Sequence, residues 1–350
     1  MDIWGLDSHF QVVKYLPYLN LQWKRRYYEC GEFSAQILAS DYDPAIKYLY
    51  TPDRPEMGMV QKMQSEKTVK GLFVNLSGFF MESVFDRMIT YPDIQGDFTL
   101  KELAGHVLTH DAGWYKVDLF DIQPGMIQQE HTVSVLWEKR RLGQALYETL
   151  QTLEMSPRVR YEGGAFYLDL WQGLDRTQSQ NENAFALFGD DMPHVSSFTY
   201  VEDESNYKNI AMVMYGSDSA GDSYRYDVYT PGCQEEGRRW LLVHAGANAT
   251  KEEASQLGQE ELQKYQLVQE AGVETIQDEN GLIYLRDYDL GDRCDLVSNA
   301  FQKSFEARIT GIDEVFKQGR HMVTLSFGNQ QKTIYQKLRR FVVSERLSNG

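Results

Sequence analysis

The stretch from Gly281 to Gly328 constrains the fold of this 350-residue chain more than any other. It contains short alternating runs, Leu282–Asp287 and Ala307–Val315, which are broken by Gly, Asp and Asn. Alternation with a period of two is typical of β-strands. Asp289-Leu-Gly-Asp292 and Lys317-Gln-Gly-Arg320 have the chemistry of turns, because Asp bonds its own backbone and Gly permits positive φ. The stretch therefore predicts an antiparallel meander that closes a small β-barrel.

The same stretch resembles the end of the tail-hub (baseplate hub) proteins of long-tailed bacteriophages. It combines a Tyr-Asp-Leu-Gly-Asp turn, Tyr288–Asp292, with an Ala-Arg-Ile strand, a Gly turn and a strand that ends in Phe-Gly. Earlier motifs resemble the family in the same order: Trp-x-x-Arg-Tyr with Gly-x-Phe at Trp23–Phe33, the run Gly78–Ile89, and Tyr-x-x-Asp-x-Ser-x-Tyr-x-Asn at Tyr200–Asn209. The resemblance covers the chain from Trp23 to Gly328.

In that family two barrel-like domains per subunit assemble as a trimer into a six-fold-like ring, which joins the tail tube to the tip or spike. The resemblance implies a structural hub of a phage, prophage or tail-derived particle, without enzymatic activity or a cofactor. It implies a homotrimer in contact with neighbouring tail tube or distal tail proteins and with tip or spike proteins. DNA would pass through it without being bound. The protein would be made in the bacterial host cytoplasm and would reside in the virion tail.

The chain in order predicts an α+β protein in which an α/β intermediate domain joins two β-barrel-like tube domains. Leu19–Ile37 alternates around a turn and predicts a β-hairpin. Met57–Phe80 predicts two more strands, in which Gly71 and Gly78 mark bulges or close backbone approaches. The first part of the chain is therefore a β-rich domain.

The pattern changes at Thr99-Leu-Lys-Glu102, a capping box that begins a helix. A second helix is predicted for Val133–Met155, ended by Pro157, and a hairpin for Arg158–Leu170. Strands then resume between Val195 and Ala245, and Thr250-Lys-Glu-Glu253 caps another helix. The predicted regions are 1–95, the first β-barrel-like domain; 96–192, the intermediate helix-plus-hairpin domain; 193–330, the second β-barrel-like domain with a helix at 250–270; and 331–350, a basic C-terminal helical segment.

Composition limits the classes of function. The net charge of −16 argues against nucleic-acid binding by phosphate neutralisation, which needs clustered Lys and Arg. In a hub that encloses a channel, acidic residues such as Glu306 and Asp313 would line the wall and keep DNA from sticking. Three widely spaced cysteines, Cys30, Cys233 and Cys294, indicate a reducing compartment and neither a disulfide framework nor a zinc site. No apolar run approaches the ~18 residues needed to cross a bilayer, and the start lacks a signal peptide.

Two groups of residues have the side chains of metal ligands, but surface or turn roles explain them better. His106 and His110 are four apart on a predicted helix, but His-Val-Leu-Thr-His lacks the glutamate of a zinc peptidase, so a surface pair is favoured. The acidic ladder has the wrong spacing for a calcium loop, and turn chemistry on a solvated face is favoured. The ladder consists of Asp287, Asp289, Asp292 and Asp295.

Two alternative functions stay open at this level. Asp190-Asp191 and Glu202-Asp-Glu204 could supply paired carboxylates for glycoside hydrolysis, although such doublets arise by chance among 51 acidic residues. A tail-associated cell-wall hydrolase or peptidase on the same scaffold is therefore one alternative. The other is a stand-alone glycan-binding β-protein, since 22 tyrosines and six tryptophans could stack on sugars; strand propensity is the favoured explanation of these aromatics.

The end of the chain predicts a basic amphipathic helix. Ile334, Leu338, Phe341 and Val342 recur at helical spacing, and lysines and arginines give the segment a positive face on an acidic protein. An isolated helix of this length is marginal in water, so the stripe must pack on something. It either folds back onto the last barrel or docks the next tail protein. The candidate docking residues are Leu338, Arg339, Arg340, Phe341 and Val342.

Overall fold

The computed structural model describes residues 1–109, 121–128, 130–217, 221–277 and 281–328. The chain folds into two compact units. The larger unit comprises Met1–Phe198 and Gly272–Ser326, and the smaller one comprises Thr199–Ala271 with the chain from Phe327. The boundaries predicted after residues 95 and 192 stay a prediction. Within the described part of the chain, no helix has the length and apolar character needed to cross a membrane.

The chain begins with a series of strands connected by short turns. Two of them, Tyr18–Arg26 and Glu32–Leu38, pair antiparallel with Trp23 opposite Phe33, which confirms the predicted hairpin. Alternate residues of both strands are buried, because one face of each lies against the core. The strands are β1 Trp4–Leu6, β2 Val12–Tyr15, β3 Tyr18–Arg26, β4 Glu32–Leu38, β5 Tyr48–Tyr50, β6 Gly58–Thr68 and β7 Gly71–Phe80, with 3-10 helices at Ala39–Asp41 and Met81–Arg87.

Gly78 lies where β6 and β7 approach each other most closely. The pairing register shifts opposite it, between Val60 and Lys62. A Cβ at Gly78 would lie 1.9 Å from the backbone oxygen of Met59, so no other residue fits without moving the strand. The prediction of a bulge or close approach at this glycine is confirmed.

The middle of the chain differs from the prediction at one element. Residues 133–155 do not form one helix: Thr132–Trp137 is a strand that pairs antiparallel with Ile94–Thr99, and a helix follows only at Leu142–Gln151. Val133, Val135 and Trp137 are buried and alternate with exposed residues. The strand period of two therefore decides the structure here, although leucines at helical spacing predicted a helix. The elements are β8 Ile94–Thr99, α1 Leu100–Thr109, β9 Gln123–Ile127, β10 Thr132–Trp137, α2 Leu142–Gln151, β11 Ser156–Glu162 and β12 Ala165–Trp171.

The hairpin predicted after Pro157 is confirmed. Strands β11 and β12 pair antiparallel and turn at Gly163 and Gly164, which have φ of +61° and +84°. Strand β9 adds to β12 in parallel. One hydrophobic cluster holds this sheet, α1 and α2 together, with Leu103, Leu146 and Leu168 at 0% exposure. The helices and the hairpin therefore share one core.

The last part of the chain contains the predicted strands between Val195 and Ala245 and the capped helix. Thr250 accepts from the Glu253 amide, and Glu253 accepts from the Thr250 amide, which confirms the capping box. Ala254 and Leu262 of this helix pack on a three-stranded sheet in the smaller unit. The elements are β13 Leu187–Gly189, β14 Val195–Asp203, β15 Ile210–Tyr215, β16 Tyr224–Tyr229, β17 Trp240–Gly246, α3 Lys251–Gln263, β18 Val268–Thr275, β19 Arg293–Ser298, β20 Lys303–Lys317 and β21 Arg320–Gly328.

The meander at the end of the larger unit is confirmed, but it starts later than expected. Strands β19, β20 and β21 lie side by side, with the predicted turn at Gln318 and Gly319, both at positive φ. Residues 282–287 are not a strand: Leu285 has φ of +69°, and Asp287 accepts from the Ile283 amide. The alternation there reflects a tight turn whose Tyr284 is buried.

The larger unit contains a long sheet with the order β21-β20-β3-β4-β7-β6-β5-β1-β2, so the two ends of the chain share it. Strand β20 pairs antiparallel with β3, which places Glu314 opposite Trp23. Among the described strands the order runs from one edge strand to another without closing on itself. Strand pairing therefore does not show the predicted barrels. The fold is β-rich, with helices packed on its sheets.

Candidate functional site

The turn at Asp289–Asp292 is largely buried within the larger unit, with Leu290 and Asp292 each 3% exposed. Asp292 accepts from the Leu174 amide at 2.8 Å and from Arg176 Nε at 2.5 Å. Gly291, at φ +83°, is packed so closely that a Cβ there would lie 2.5 Å from the Tyr27 ring. The turn thus joins segments that are far apart in the sequence.

Arg25 connects this turn to the first strands. Its guanidinium is 0% exposed and donates from Nη1 to Asp289 at 2.5 Å and to the Tyr284 hydroxyl at 2.7 Å. Its Nε donates to Glu56 Oε1 at 2.9 Å. A buried arginine with two carboxylates and a phenol around it serves to hold strands in register, since the planar fork fixes its partners in direction.

Arg54 and Glu314 form a second buried pair. Their side chains are 5% and 0% exposed, and they share two hydrogen bonds, one of them Arg54 Nε to Glu314 Oε1 at 2.8 Å. His321 lies 3.0 Å from Glu314 Oε2 and stacks on the Phe316 ring. Burial raises the pKa of Glu314, but hydrogen bonds from His321 and Arg54 outweigh it and leave the pKa below its usual value. The pair therefore stays charged at neutral pH.

The acidic ladder proves structural, although only part of it is solvated. Asp292 is buried, which corrects the expectation of a solvated face for the whole ladder. Asp287 pairs with Arg286, and Asp295 accepts from the Gln178 amide. The described residues contain no group of three or more histidines, cysteines or acids placed to hold a metal ion. His106 lies against the Phe98 ring, and His110 lies outside the described residues.

Four other acidic candidates also have partners within the chain. Asp190 accepts from Ser298 and from two backbone amides, and Glu204 pairs with Arg239. The proposed wall residues Glu306 and Asp313 pair with Arg293 and Arg26. The structure gives each of these carboxylates a local structural role.

The three cysteines are free thiols. Burial raises the pKa of Cys294 well above its usual value, and Asp292 nearby adds to the shift. Burial raises the pKa of Cys30 as well, with Glu82 and Asp86 adding to it. Thiols held in the protonated form are poor nucleophiles.

We expect the folded protein to react slowly with a thiol reagent at pH 8. Cys30 and Cys294 should be modified at least about tenfold more slowly than free cysteine, because little of either thiol is ionised. The measurement is the rate of colour release with an aromatic disulfide reagent, with the urea-unfolded chain, in which all three thiols become accessible, as the control. Rapid modification of Cys30 or Cys294 in the folded protein would show that the thiol is accessible and activated.

An uncovered face lies on the three-stranded sheet of the smaller unit. Strand β15 pairs with β16 and β17, and α3 covers the face that carries Val213, Val228 and Val243. The opposite face, which we call the open sheet face, carries the apolar side chains of Met212, Met214, Tyr229, Trp240 and Leu242, three of them 40–58% exposed, together with the charged pair Arg225 and Asp227. Aromatic and methionine side chains of this kind are enriched at protein interfaces.

An uncovered edge lies on the β6–β7 hairpin of the larger unit. Strand β5 pairs with β6 only at Gly58 and Met59, so among the described strands the rest of β6 has β7 as its single neighbour. Every residue from 61 to 68 is exposed. We call residues 61–72 the hairpin arm; its apolar members Met63 and Leu72 are about half exposed and Val69 is fully exposed. An unpaired edge of this length is a template for another strand.

The sequence predicted neither of the features that the structure shows most clearly, and its own docking residues lie elsewhere in the chain. The predicted docking residues Leu338–Val342 lie outside the described residues, so they stay a prediction. The buried pair Arg54 and Glu314 was not predicted, since nothing in the sequence links two charged residues 260 positions apart. Strand alternation gave a weak signal for the burial of Glu314 alone, which falls on the same face of β20 as the buried Ile312.

Comparison with known proteins gives a family and a fold. A model of the family described as Siphovirus ReqiPepy6 Gp37-like protein matches residues 126–329, more than half of the chain. No curated protein matches the chain in sequence.

Solved structures of three tail proteins have the same fold over nearly their whole length. Prophage tail protein gp18 from Listeria monocytogenes EGD-e is 13% identical, with a TM-score of 0.61 and 98% of each chain covered. The 43 kDa tail protein of prophage MuSo2 from Shewanella oneidensis is 12% identical, with a TM-score of 0.65 over 93% of this chain and 98% of that one. The tail protein from Neisseria meningitidis MC58 is 11% identical, with a TM-score of 0.64 over 94% and 96%.

Proposed function

Since the chain belongs to the Siphovirus ReqiPepy6 Gp37-like family of phage tail proteins, we propose that it is the hub of the tail, a homotrimeric ring between the tail tube and the tip or spike. Its role is structural and not enzymatic. DNA passes through the ring and is not retained, because the chain carries a net charge of −16. The protein is made in the bacterial host cytoplasm and assembles into the virion.

The observation that carries the proposal is the uncovered edge of the hairpin arm. Residues 61–68 expose both faces of β6 and one row of backbone groups. Soluble proteins usually cover, shorten or charge such edges. Lys62 and Lys67 reduce the risk of random pairing, while Met63, Val69 and Leu72 remain available for specific contacts. Pairing between copies around a closed ring would remove the edge from every subunit.

Closure of the sheets into two barrel-like tube domains is part of the same proposal. The pairing path of the described strands is open within one chain, so barrels would form only when strands of neighbouring copies complete them. Residues 1–95 and 193–330 would supply the two tube domains, and 96–192 would connect them.

The C-terminal segment is proposed to bind the next tail component. Leu338, Phe341 and Val342 would enter an apolar groove of that protein, and Arg339 and Arg340 would fix the register through carboxylates. Its net positive charge on an acidic chain suits an acidic partner surface.

The experiment measures the mass of the purified chain over a range of concentrations. We expect a species with three times the mass of the chain, and we expect M63E/L72E to weaken association at least about tenfold, since two charges would then face the neighbouring strand. Both side chains are about half exposed, so the thermal stability of the monomer should change little. A chain truncated before Gln331 should still form trimers but fail to recruit the adjacent tail protein.

The matched control is Leu136→Glu, which places a charge at a comparably exposed apolar position on β10, outside the hairpin arm. It should leave the mass distribution unchanged. Equal weakening by L136E, or a chain that stays monomeric at the highest concentration and in the presence of tail partners, would remove the support for a trimeric hub.

A further inference from the structure

A narrow cavity lies inside the larger unit where the first strands meet the β11–β12 hairpin. Arg25 of β3, Glu56 before β6, Glu82 of the 3-10 helix at Met81–Arg87, and Arg158 and Trp171 of the hairpin line it. The space suffices for about one water molecule. A cavity lined by so many polar groups is unlike the apolar voids that stay dry.

Five polar atoms of the side chains that line this cavity have no hydrogen-bond partner among the residues that the structure describes. Two are carboxyl oxygens, Oε2 of Glu56 and Oε2 of Glu82, and three are N–H donors, Nη2 of Arg25, Nε of Arg158 and Nε1 of Trp171. Glu56 and Glu82 are each 5% exposed and Trp171 is 8% exposed. Native structures rarely leave buried polar atoms unpaired, because such atoms have lost their hydrogen bonds to water.

Each glutamate and Arg158 has another side-chain atom that is hydrogen-bonded within the chain. Glu82 Oε1 accepts from the Val159 amide at 2.9 Å, and Glu56 Oε1 accepts from Arg25. Arg158 Nη2 donates to Asp169 at 3.1 Å. A water molecule donates twice and accepts twice, so it can donate to Glu56 Oε2 while it accepts from a protonated Glu82 and from one of the free N–H groups.

We propose that this cavity is a built binding site for an ordered water molecule between Glu56 and Glu82, and that a proton held by Glu82 stabilises the joint around it. The joint connects the first strands to the hairpin through the Val159 amide and through the bridge between Glu56 and Arg160. The site does not depend on assembly, since every residue in it belongs to one chain.

Burial and the charges around Glu82 determine its pKa, and with it how the stability of the protein depends on pH. Burial raises the pKa of Glu82 to about 7; the Val159 amide lowers it, Glu56 raises it and Arg158 lowers it. The titratable and charged groups around Glu82, taken from every element packed there, are Arg25, Cys30, Glu56, Asp86, Tyr147 and Arg158.

Because the pKa of Glu82 is raised, the folded chain binds this proton more tightly than the unfolded chain, in which the pKa is near 4.5. Stability from this group is complete below pH 4.5 and is lost as the pH rises through 7.

The test compares the wild type with Glu82→Gln, which keeps the shape and stays neutral. Between pH 5.5 and 8 we expect the melting temperature of the wild type to fall by several degrees more than that of E82Q. The lower limit stays above the pI near 4.9, where solubility is poor. The control is Glu138→Gln, at an exposed position just after β10 and outside both the cavity and the hairpin arm, which should behave like the wild type. Parallel pH profiles for wild type and E82Q would overturn the proposal.

A second measurement uses the unchanged protein, so the test stands even if E82Q folds poorly. A crystal structure at pH 5.5 should show one water hydrogen-bonded to Glu82 Oε2 and to at least one of Glu56, Arg158 and Trp171. An empty cavity, or a direct bond from Glu82 Oε2 to Arg158, would overturn the water site. A carboxyl titration of Glu82 with a midpoint near 4.5 would overturn the role of the proton.

Discussion

Replacing Glu314 by glutamine is expected to lower the free energy of unfolding by about 3–5 kcal/mol. The side chain is 0% exposed and is the charge partner of Arg54, which is itself 5% exposed. Without the carboxylate, the guanidinium stays buried with no opposite charge, and His321 loses its partner as well. Urea-induced unfolding of E314Q and wild type at neutral pH measures the difference.

The double variant R54M/E314L separates a lost charge pair from lost packing. Two apolar side chains of similar size need no counter-charge, so the double variant should recover more than half of the stability lost in E314Q. Glu306→Gln is the control, because Glu306 pairs with Arg293 while both are one-third to one-half exposed. It should cost about 0–1 kcal/mol. If E314Q costs no more than E306Q, the buried pair is not a structural anchor.

Replacing Gly173 by alanine is expected to cost about 3 kcal/mol, at the upper end of the range for overpacking. A Cβ there would lie 2.0 Å from the carbonyl carbon of Gly291 and 2.4 Å from the Asp292 amide nitrogen, and backbone atoms cannot rotate away. The loop would have to leave the turn, which would break the bond from the Leu174 amide to Asp292. Urea unfolding and hydrogen exchange at Leu174 both measure the effect.

Gly105→Ala is the matched control for a glycine that has space. A Cβ at this position in α1 meets nothing within 4 Å, and alanine favours the helix. The variant should gain up to about 1 kcal/mol. A Gly173→Ala protein as stable as Gly105→Ala, with slow exchange at Leu174, would mean that the turn does not depend on this close approach.

Local patterns in the sequence predicted the elements whose signals are local. The Thr250 and Glu253 capping box, the turn at Gln318 and Gly319, and the hairpin after Pro157 each depend on residues within a few positions of one another. Alternation likewise predicted β3 and β4, because one face of each strand is buried. Each of these signals acts between residues that are close in the sequence, and no distant contact changed its outcome.

Local patterns gave the wrong element in two places. In one, helical spacing and strand alternation overlap; in the other, a turn has the alternating pattern of a strand. Residues 133–155 contain leucines at helical spacing, but the first part alternates and pairs with β8. Residues 282–287 alternate, yet Leu285 adopts positive φ so that the turn can bury Tyr284 beside Arg25. In both places the partner that decided the outcome lies far away in the sequence.

By itself the sequence determined that the chain is β-rich, where its local turns and helix caps lie, and that its motifs resemble those of tail-hub proteins in the same order. It could not determine which charges would be buried. Arg25, Arg54, Glu82 and Glu314 look like ordinary surface residues in the sequence. Only the tertiary structure made them central. Pairing of β20 with β3 helps to bring Glu314 to Arg54, 260 residues away, and packing of the hairpin against the first strands buries Glu82 at the Val159 amide. Water no longer screens these charges in the interior.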